Sequence, residues 1–308
     1  MESHSIQRGQ GTDVVFCSDN NYLPHCASAV VSLLENEPRV DPVFVIVSGI
    51  DQSAVSDFTA HIWKSFQKKV EILEASQERL EKVHTSGHIN SSTYLRFMVP
   101  ELLPLDVQFV LYLDSDLIVT GPFVDLLPLD QIGDEERDPL EEEPALWAVP
   151  EEVGGHLREK GFDVEQYFNA GVLFVNVPMW RKERLSQRLF EAEALYREDI
   201  VFWDQDVLNI VLAGRWREMN RALNGLWHNR DDATRIVHFS SNRKPWHFGA
   251  ARSERYLYAS YRRKTNFLPY RKEWNTVSFL SGKLPQPVFL LLKVAKNKLM
   301  GLWKTRAQ

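Results

Sequence analysis

Short apolar runs rich in β-branched residues alternate with longer amphipathic segments along most of this chain, and that rhythm restricts the fold more than any other feature. Residues 13–17 (DVVFC), 42–48 (PVFVIVS), 70–73, 109–113 (FVLYL), 145–149 and 171–177 (GVLFVNV) are expected strands, with 235–239 as a last strand-like segment. Residues 23–34, 51–67, 178–197 and 203–212 are expected helices. In the first helix Ala27, Val30, Val31 and Leu34 share one face, and Pro24 falls in the first turn, where its missing N–H has no partner to lose. Residues 93–103 read as a helix interrupted by Pro100. Strands separated by helices imply an α/β fold with a mostly parallel sheet covered on both faces. Ligands of such sheets sit beyond the carboxyl ends of the strands, so chemistry is expected in the loops that follow them.

Composition narrows the function classes. A chain of 308 residues, 44% hydrophobic, can bury a core without disulfide support. Its two cysteines, Cys17 and Cys26, and a polar start without an apolar leader point to a reducing, cytoplasmic setting. No apolar run is long enough to span a bilayer. A net charge of −6 argues against a general nucleic-acid binder. That charge is uneven. Residues 134–143 (DEERDPLEEE) form an acidic loop, whereas no acid follows Glu273 and Lys283, Lys293, Lys296, Lys298, Lys304 and Arg306 do. The expected organisation is a flexible N-terminus (1–12), a catalytic domain (13–272) and a basic amphipathic tail (273–308). Within the tail, residues 288–303 (VFLLLKVAKNKLMGLW) place Val288, Leu291, Leu292, Ala295, Leu299, Leu302 and Trp303 on one helical face, with Lys293, Asn297 and Lys304 opposite. Leu290 and Val294 break the pattern. Such a segment suits an anionic membrane surface; packing on the chain's own core or on a second subunit is the alternative.

Asp114-Ser115-Asp116 follows the 109–113 strand directly, and apolar residues 117–119 resume at once. Two carboxylates so placed repel each other and lose hydration, and a divalent cation relieves both. Oxygen ligands suit Mg²⁺ and Mn²⁺, and Mn²⁺ also accepts an imidazole. An exposed acidic turn is the plainer reading, because D-x-D alone is common.

The setting of that pair carries more. DVVF at 13–16, YLDSD at 112–116, YFNAGV at 167–172, WDQD at 203–206 and HFSSNRKPW at 238–246 occur in order. Together, from Asp13 to about His247, they resemble glycosyltransferase family 8, which contains bacterial lipopolysaccharide galactosyl- and glucosyltransferases and glycogenin. The resemblance implies a GT-A fold with a Rossmann-like sheet, a UDP-hexose donor, a Mn²⁺ cofactor (Mg²⁺ as the alternative) and retention at the anomeric carbon. It makes Asp114, Asp116 and His238 the metal ligands, with Asp114 also facing the ribose, and Lys244 the diphosphate contact. Family members often carry a glycine between that His and Lys; this chain has Ser240, Ser241 and Asn242, and asparagine tolerates left-handed backbone.

The same resemblance assigns Cys17, Asp19, Asn21 and Tyr22 to uridine, with Asp19 accepting from the uracil edge and Tyr22 stacking on the ring. An Asp-Asn-Asn turn is the structural alternative. Arg96 falls near the donor sugar and phosphate, or serves as a salt-bridge partner. Asn169 and Asp204 contact sugar hydroxyls, with Glu151 roughly aligned as a further acidic contact. Gln205 lies close to the anomeric carbon, and Asp206 is expected to be structural. Because Gln205 is a poor nucleophile, same-face attack is favoured over a covalent intermediate. The expected acceptor is a saccharide, lipid-linked as in lipopolysaccharide, met at the cytoplasmic face of the membrane. A protein or soluble glycan acceptor, or a non-catalytic nucleotide-sugar-binding module, stays open. A phosphoryl transferase is disfavoured, since no G-x-x-x-x-G-K-[ST] loop is present.

Overall fold

The computed structural model describes residues 12–83, 91–132, 144–240, 243–247 and 249–267. The acidic loop, Ser241, Asn242 and the basic tail, each the subject of an expectation above, lie outside these residues.

The alternating runs become strands β1 (Thr12–Ser18), β2 (Val40–Val47), β3 (Val70–Glu74), β4 (Phe109–Leu113), β5 (Leu117–Val119), β6 (Leu146–Pro150), β7 (Phe168–Asn176), β8 (Trp216–Glu218), β9 (Gly225–Leu226) and β10 (Ile236–His238). The helices are α1 (Leu23–Asn36), α2 (Gln52–Phe66), α3 (Gln77–Leu80), α4 (Val99–Leu102), α5 (Gly155–Glu159), α6 (Val177–Lys182), α7 (Leu185–Leu195), α8 (Trp203–Val211) and α9 (Arg252–Arg262).

Seven strands pair in the order β3-β2-β1-β4-β7-β6-β8. All pairings are parallel except the two made by β7, which runs against β4 and β6. Successive residues point to opposite faces, so each central strand feeds two apolar layers. Val15, Phe44, Ile46 and Tyr112 pack on one side with Leu95, Trp180 and Leu189. Val14, Phe16, Val45 and Leu111 pack on the other, against Ala27, Val30, Val31 and Leu34 of α1 and Phe58 and Ile62 of α2. Burial on both faces is why these strands read as nearly unbroken apolar runs.

A second, three-stranded sheet has the order β5-β10-β9. The chain leaves β4 through Asp114-Ser115-Asp116 and enters β5, whose Leu117 pairs with His238 of β10. The short acidic link thus joins the two sheets, and His238 is carried to it across a β-ladder.

Three expectations change. Residues 91–98 form a 3₁₀-helix, and Pro100 falls in the first turn of α4 rather than interrupting a longer helix. The single helix expected at 178–197 is two, α6 and α7, broken where Arg184 takes φ 53°. Strand β7 begins at Phe168, earlier than expected, so polar Asn169 lies inside it. There the ladder to β6 slips: Ala148 faces Leu173, but Pro150 faces Phe168. This bulge releases residues 169–171 from pairing with β6.

Candidate active site

A cleft of about 600 Å³ opens beyond the carboxyl ends of β1 and β4. Of the residues singled out in the sequence, Cys17, Asn21, Tyr22, Arg96, Asp114, Asp116, Glu151, Asn169, Asp204, Gln205, His238 and Lys244 line it. Asp19 does not. One of its carboxylate oxygens accepts the Tyr22 N–H (2.8 Å) and the other the Ser92 hydroxyl (3.1 Å), which makes it the pin of the turn into α1. Cys17 offers its carbonyl, which accepts the Ser115 hydroxyl at 2.8 Å. Burial pushes the Cys17 thiol well above its ordinary range, so it is not a nucleophile.

Asp114, Asp116 and His238 each present a ligand atom, and these atoms lie within 4.8 Å of one another. Nε2 of His238 is 3.3 Å from Asp116 Oδ1 and 3.7 Å from Asp114 Oδ2. Asp116 Oδ1 is buried yet accepts no hydrogen bond. A buried carboxylate oxygen without a donor, facing an imidazole nitrogen and a second acid, fits a cation of the Mn²⁺ or Mg²⁺ kind. Lys244 Nζ binds the other oxygen of Asp116 and donates to the Phe239 carbonyl at 2.7 Å. Burial pushes Asp116 upward, but the Lys244 ammonium on its other oxygen outweighs it and holds the carboxyl well below the usual range.

The Lys244 loop is braced from beneath. Its backbone N–H donates to His247 Nδ1 (3.1 Å), and buried Trp246 stacks on His25 (3.6 Å between ring centroids, 16° between planes). His25 Nδ1 in turn pairs with the Tyr258 hydroxyl of α9 at 2.6 Å. Tyr22 meets Trp246 edge-on (84°) from the same cluster.

Arg96, buried on the 3₁₀-helix, links the cation site to the rest of the cleft. It donates to Asp114 Oδ1 (2.9 Å) and to the Ala170 carbonyl (2.6 Å), and its Nε lies 2.9 Å from Asp204 Oδ2. The Tyr112 hydroxyl also donates to Asp114 Oδ1 at 2.5 Å. Burial pushes Asp204 up to about 6 against the pull of Arg96. The salt-bridge reading of Arg96 is therefore seen directly, and the paired guanidinium lines the cleft.

Across the cleft, Asn169 Nδ2 donates to Glu151 Oε2 (3.0 Å), as does Gln205 Nε2 (3.1 Å). Gln205 Oε1 accepts the Ala170 N–H at 3.0 Å. Asp206 is structural, as expected. It is fully buried and accepts from Tyr167 Oη (2.7 Å), from the Val201 and Phe202 amides (2.7 and 2.8 Å) and from His156 Nε2 (3.0 Å). That grip holds Trp203 at φ 46°, where a bulky residue is strained, and aims Asp204 and Gln205 inward.

Sequence reasoning missed Asn224, whose Oδ1 faces His238 Nδ1 at 3.0 Å and whose Nδ2 donates to Asn169 Oδ1 at 2.9 Å. It also gave no reason for Gly171, although YFNAGV contains it. A Cβ there would stand 2.1 Å from His238 Cε1.

Comparison with known proteins bears on this cleft. The family model for "Glycosyl transferase family 8" matches residues 13–250. General stress protein A of Bacillus subtilis (strain 168) is 28% identical over 290 residues, covering 86% of this chain and 95% of that protein. The lipopolysaccharide 1,3-galactosyltransferase of Salmonella typhimurium is 26% identical over 250 residues, covering 76% and 73%. Among solved structures, the galactosyltransferase LgtC, in complex with donor and acceptor sugar analogs, superposes with a TM-score of 0.70 at 23% identity, over 89% of this chain and all of that one. That last likeness is one of fold.

Proposed function

The chain belongs to glycosyltransferase family 8 and is a retaining hexosyltransferase of GT-A fold, and we propose that it moves galactose or glucose from UDP onto a lipid-linked saccharide of the lipopolysaccharide kind. One observation carries the reading: a group of three residues able to hold a cation, flanked by Lys244 and Arg96, shares one cleft with Asn169, Asp204 and Gln205.

Asp114, Asp116 and His238 would hold Mn²⁺, with Mg²⁺ as the alternative. Bound there, the ion would bind diphosphate oxygens and stabilise charge on the leaving group. Lys244 adds a compact positive charge for phosphate oxygens, and Arg96 keeps a second one beside Asp114. Cys17, Asn21 and Tyr22 form the uridine end of the cleft. Asp19, whose two oxygens each accept a hydrogen bond within the protein, fixes that loop, and a carboxylate oxygen can accept a second bond from the uracil edge. Asn169, Glu151 and Asp204 receive the sugar hydroxyls. Gln205 stands near the anomeric carbon with its amide held by Ala170, Glu151 and Tyr167. A carboxamide so held orients substrate and does not form a covalent intermediate, which favours attack on the face that UDP leaves.

The acceptor class rests on the Salmonella relative and on the acid-free basic sequence after Glu273. No described helix is long and apolar enough to cross a membrane. The basic tail supports peripheral docking at the cytoplasmic membrane face, where a lipid-linked acceptor is found. A panel of UDP-sugars with Mn²⁺, read as UDP release and then as product linkage on lipopolysaccharide core, tests the reading. Metal-dependent turnover of one UDP-hexose is expected; absence of turnover with every UDP-hexose would overturn it.

A further inference from the structure

We infer that Asn224 is a positioning residue that fixes His238 as a cation ligand and ties that ligand to Gln205 through a directed hydrogen-bond chain. The inference rests on the reading that Asp114, Asp116 and His238 hold a divalent cation.

Asparagine orientations and histidine tautomers are often ambiguous, because amide O and N look alike. Here two fixed groups remove the ambiguity. The Gly171 backbone N–H can only donate, and it points at Asn169 from 3.0 Å, so the Asn169 atom it meets is Oδ1. The other end of that amide is then Nδ2, and it meets an acceptor-only carboxylate, Glu151 Oε2, at 3.0 Å. Both ends agree. The Asn224 atom 2.9 Å from Asn169 Oδ1 must therefore be a donor, Nδ2. Its partner Oδ1 accepts, so His238 Nδ1, 3.0 Å away, carries the proton. In the neutral ring Nε2 then keeps its lone pair, and it faces Asp116 Oδ1 and Asp114 Oδ2. A neutral imidazole ligates only through a nitrogen without a proton, and the hydrogen bond at the other nitrogen decides which one that is.

The chain continues past Glu151, since Oε2 also accepts Gln205 Nε2–H at 3.1 Å. His238, Asn224, Asn169, Glu151 and Gln205 thus form an unbroken series in which each donor direction is set by its neighbour. Asn224 is buried and comes from the 3₁₀-turn Arg221–Asn224, far in sequence from Asn169, so the series joins the small sheet to the large one.

Two measurements test this. The first needs no change at Asn224. In histidine-¹⁵N-labelled, cation-free protein at about pH 8, above the ordinary histidine range, two-bond ¹H–¹⁵N correlations report each tautomer, and His238→Gln identifies the signal. His238 in the Nδ1–H form is expected; an Nε2–H form overturns the inference. The second compares Mn²⁺ affinity, read by electron paramagnetic resonance on the full chain, for two variants. Asn224→Ala removes the acceptor and should weaken Mn²⁺ binding about 10–100-fold. Asn224→Asp keeps an acceptor for Nδ1–H but loses the donor to Asn169. It should hold Mn²⁺ within about 3-fold of wild type while slowing donor hydrolysis. Wild-type Mn²⁺ affinity in Asn224→Ala, or equal loss in both variants, overturns the inference. If the wild type itself fails to bind Mn²⁺, the cation reading falls instead, and the tautomer result still judges the role of Asn224.

Discussion

Gly171 and His238 meet at a distance that admits no side chain: a Cβ built on Gly171 would stand 2.1 Å from His238 Cε1 and 2.8 Å from its Nε2. The Cε1 end of the imidazole reaches the strand, and the strand gives way by having no side chain there. Gly171→Ala must therefore displace His238 or the strand. We expect about 1–3 kcal/mol of destabilisation from overpacking, together with a fall in Mn²⁺ affinity well beyond what that loss explains. Chemical denaturation and Mn²⁺ titration measure the two effects. A stable variant with wild-type Mn²⁺ affinity would show that His238 is not a ligand.

Asp116 has one oxygen on Lys244 and the other without a donor. Asp116→Asn removes the charge that both cations answer. Loss of metal-dependent UDP release by about 10³-fold or more, some 4 kcal/mol of transition-state stabilisation, is expected. The reading fails if wild-type turnover survives a chelator.

Glu37 ends α1 as a buried acid that accepts the Phe123 and Val124 amides (2.8 and 3.0 Å) and the Arg39 guanidinium (2.7 and 2.8 Å). Burial pushes its carboxyl upward, but these donors outweigh it and set it at about 2, below the ordinary 4.5. A depressed acid contributes stability above its unfolded value and loses it as pH falls through the folded one. Unfolding free energy should therefore drop between the ordinary value of 4.5 and about 2, by roughly 1–3 kcal/mol once the exposure of Arg39 is allowed for. Glu37→Gln should be less stable at neutral pH and flatter through that window. Equal slopes for the two proteins in acid-denaturation curves would refute the role.

The basic sequence after Glu273 makes a prediction of its own. Truncation after Pro285 should reduce sedimentation with anionic liposomes and transfer to a lipid-linked acceptor, while donor hydrolysis persists. Unchanged vesicle binding, or an unfolded product, would assign the tail elsewhere.

The parts of this architecture that were legible in the sequence are those whose physics is local. Strands β1, β2 and β4 announce themselves because burial on both faces leaves their central runs without polar positions, and Asp114 and Asp116 stand out because apolar runs flank them. Helix α9 did not, since Arg252–Arg262 is charged at both ends and buries Glu254 and Arg262 along with Tyr258 and Ala259. Strands β8 and β9, of three and two residues, are too short for any period. Asn224 was invisible for a different reason. Its partners are Asn169 and His238, brought together only by the tertiary fold, and nothing in RALNGLWHN records them. Asp19 reads from the sequence as either a turn-forming or a base-reading acid, and the fold adds its bonds to the Tyr22 amide and to Ser92, the second of which no local pattern records.

The slip between β6 and β7 frees the backbone of Ala170 from the ladder, and the two peptide groups that flank its Cα serve the cleft: the Ala170 carbonyl accepts from Arg96 and the Ala170 N–H donates to Gln205. Two charged or polar groups that line the cleft are thus aimed by main-chain atoms, which every amino acid shares. Side-chain mutagenesis is blind to such a contribution. Exchange of Ala170 for glycine or serine leaves the peptide in place, so a codon-by-codon survey would score the position as permissive for small residues. Only backbone chemistry touches the groups that matter: an ester in place of the 169–170 amide would remove the N–H that Gln205 accepts. The share of this cleft's organisation that resides in the polypeptide itself is accordingly larger than any catalogue of sensitive side chains would indicate.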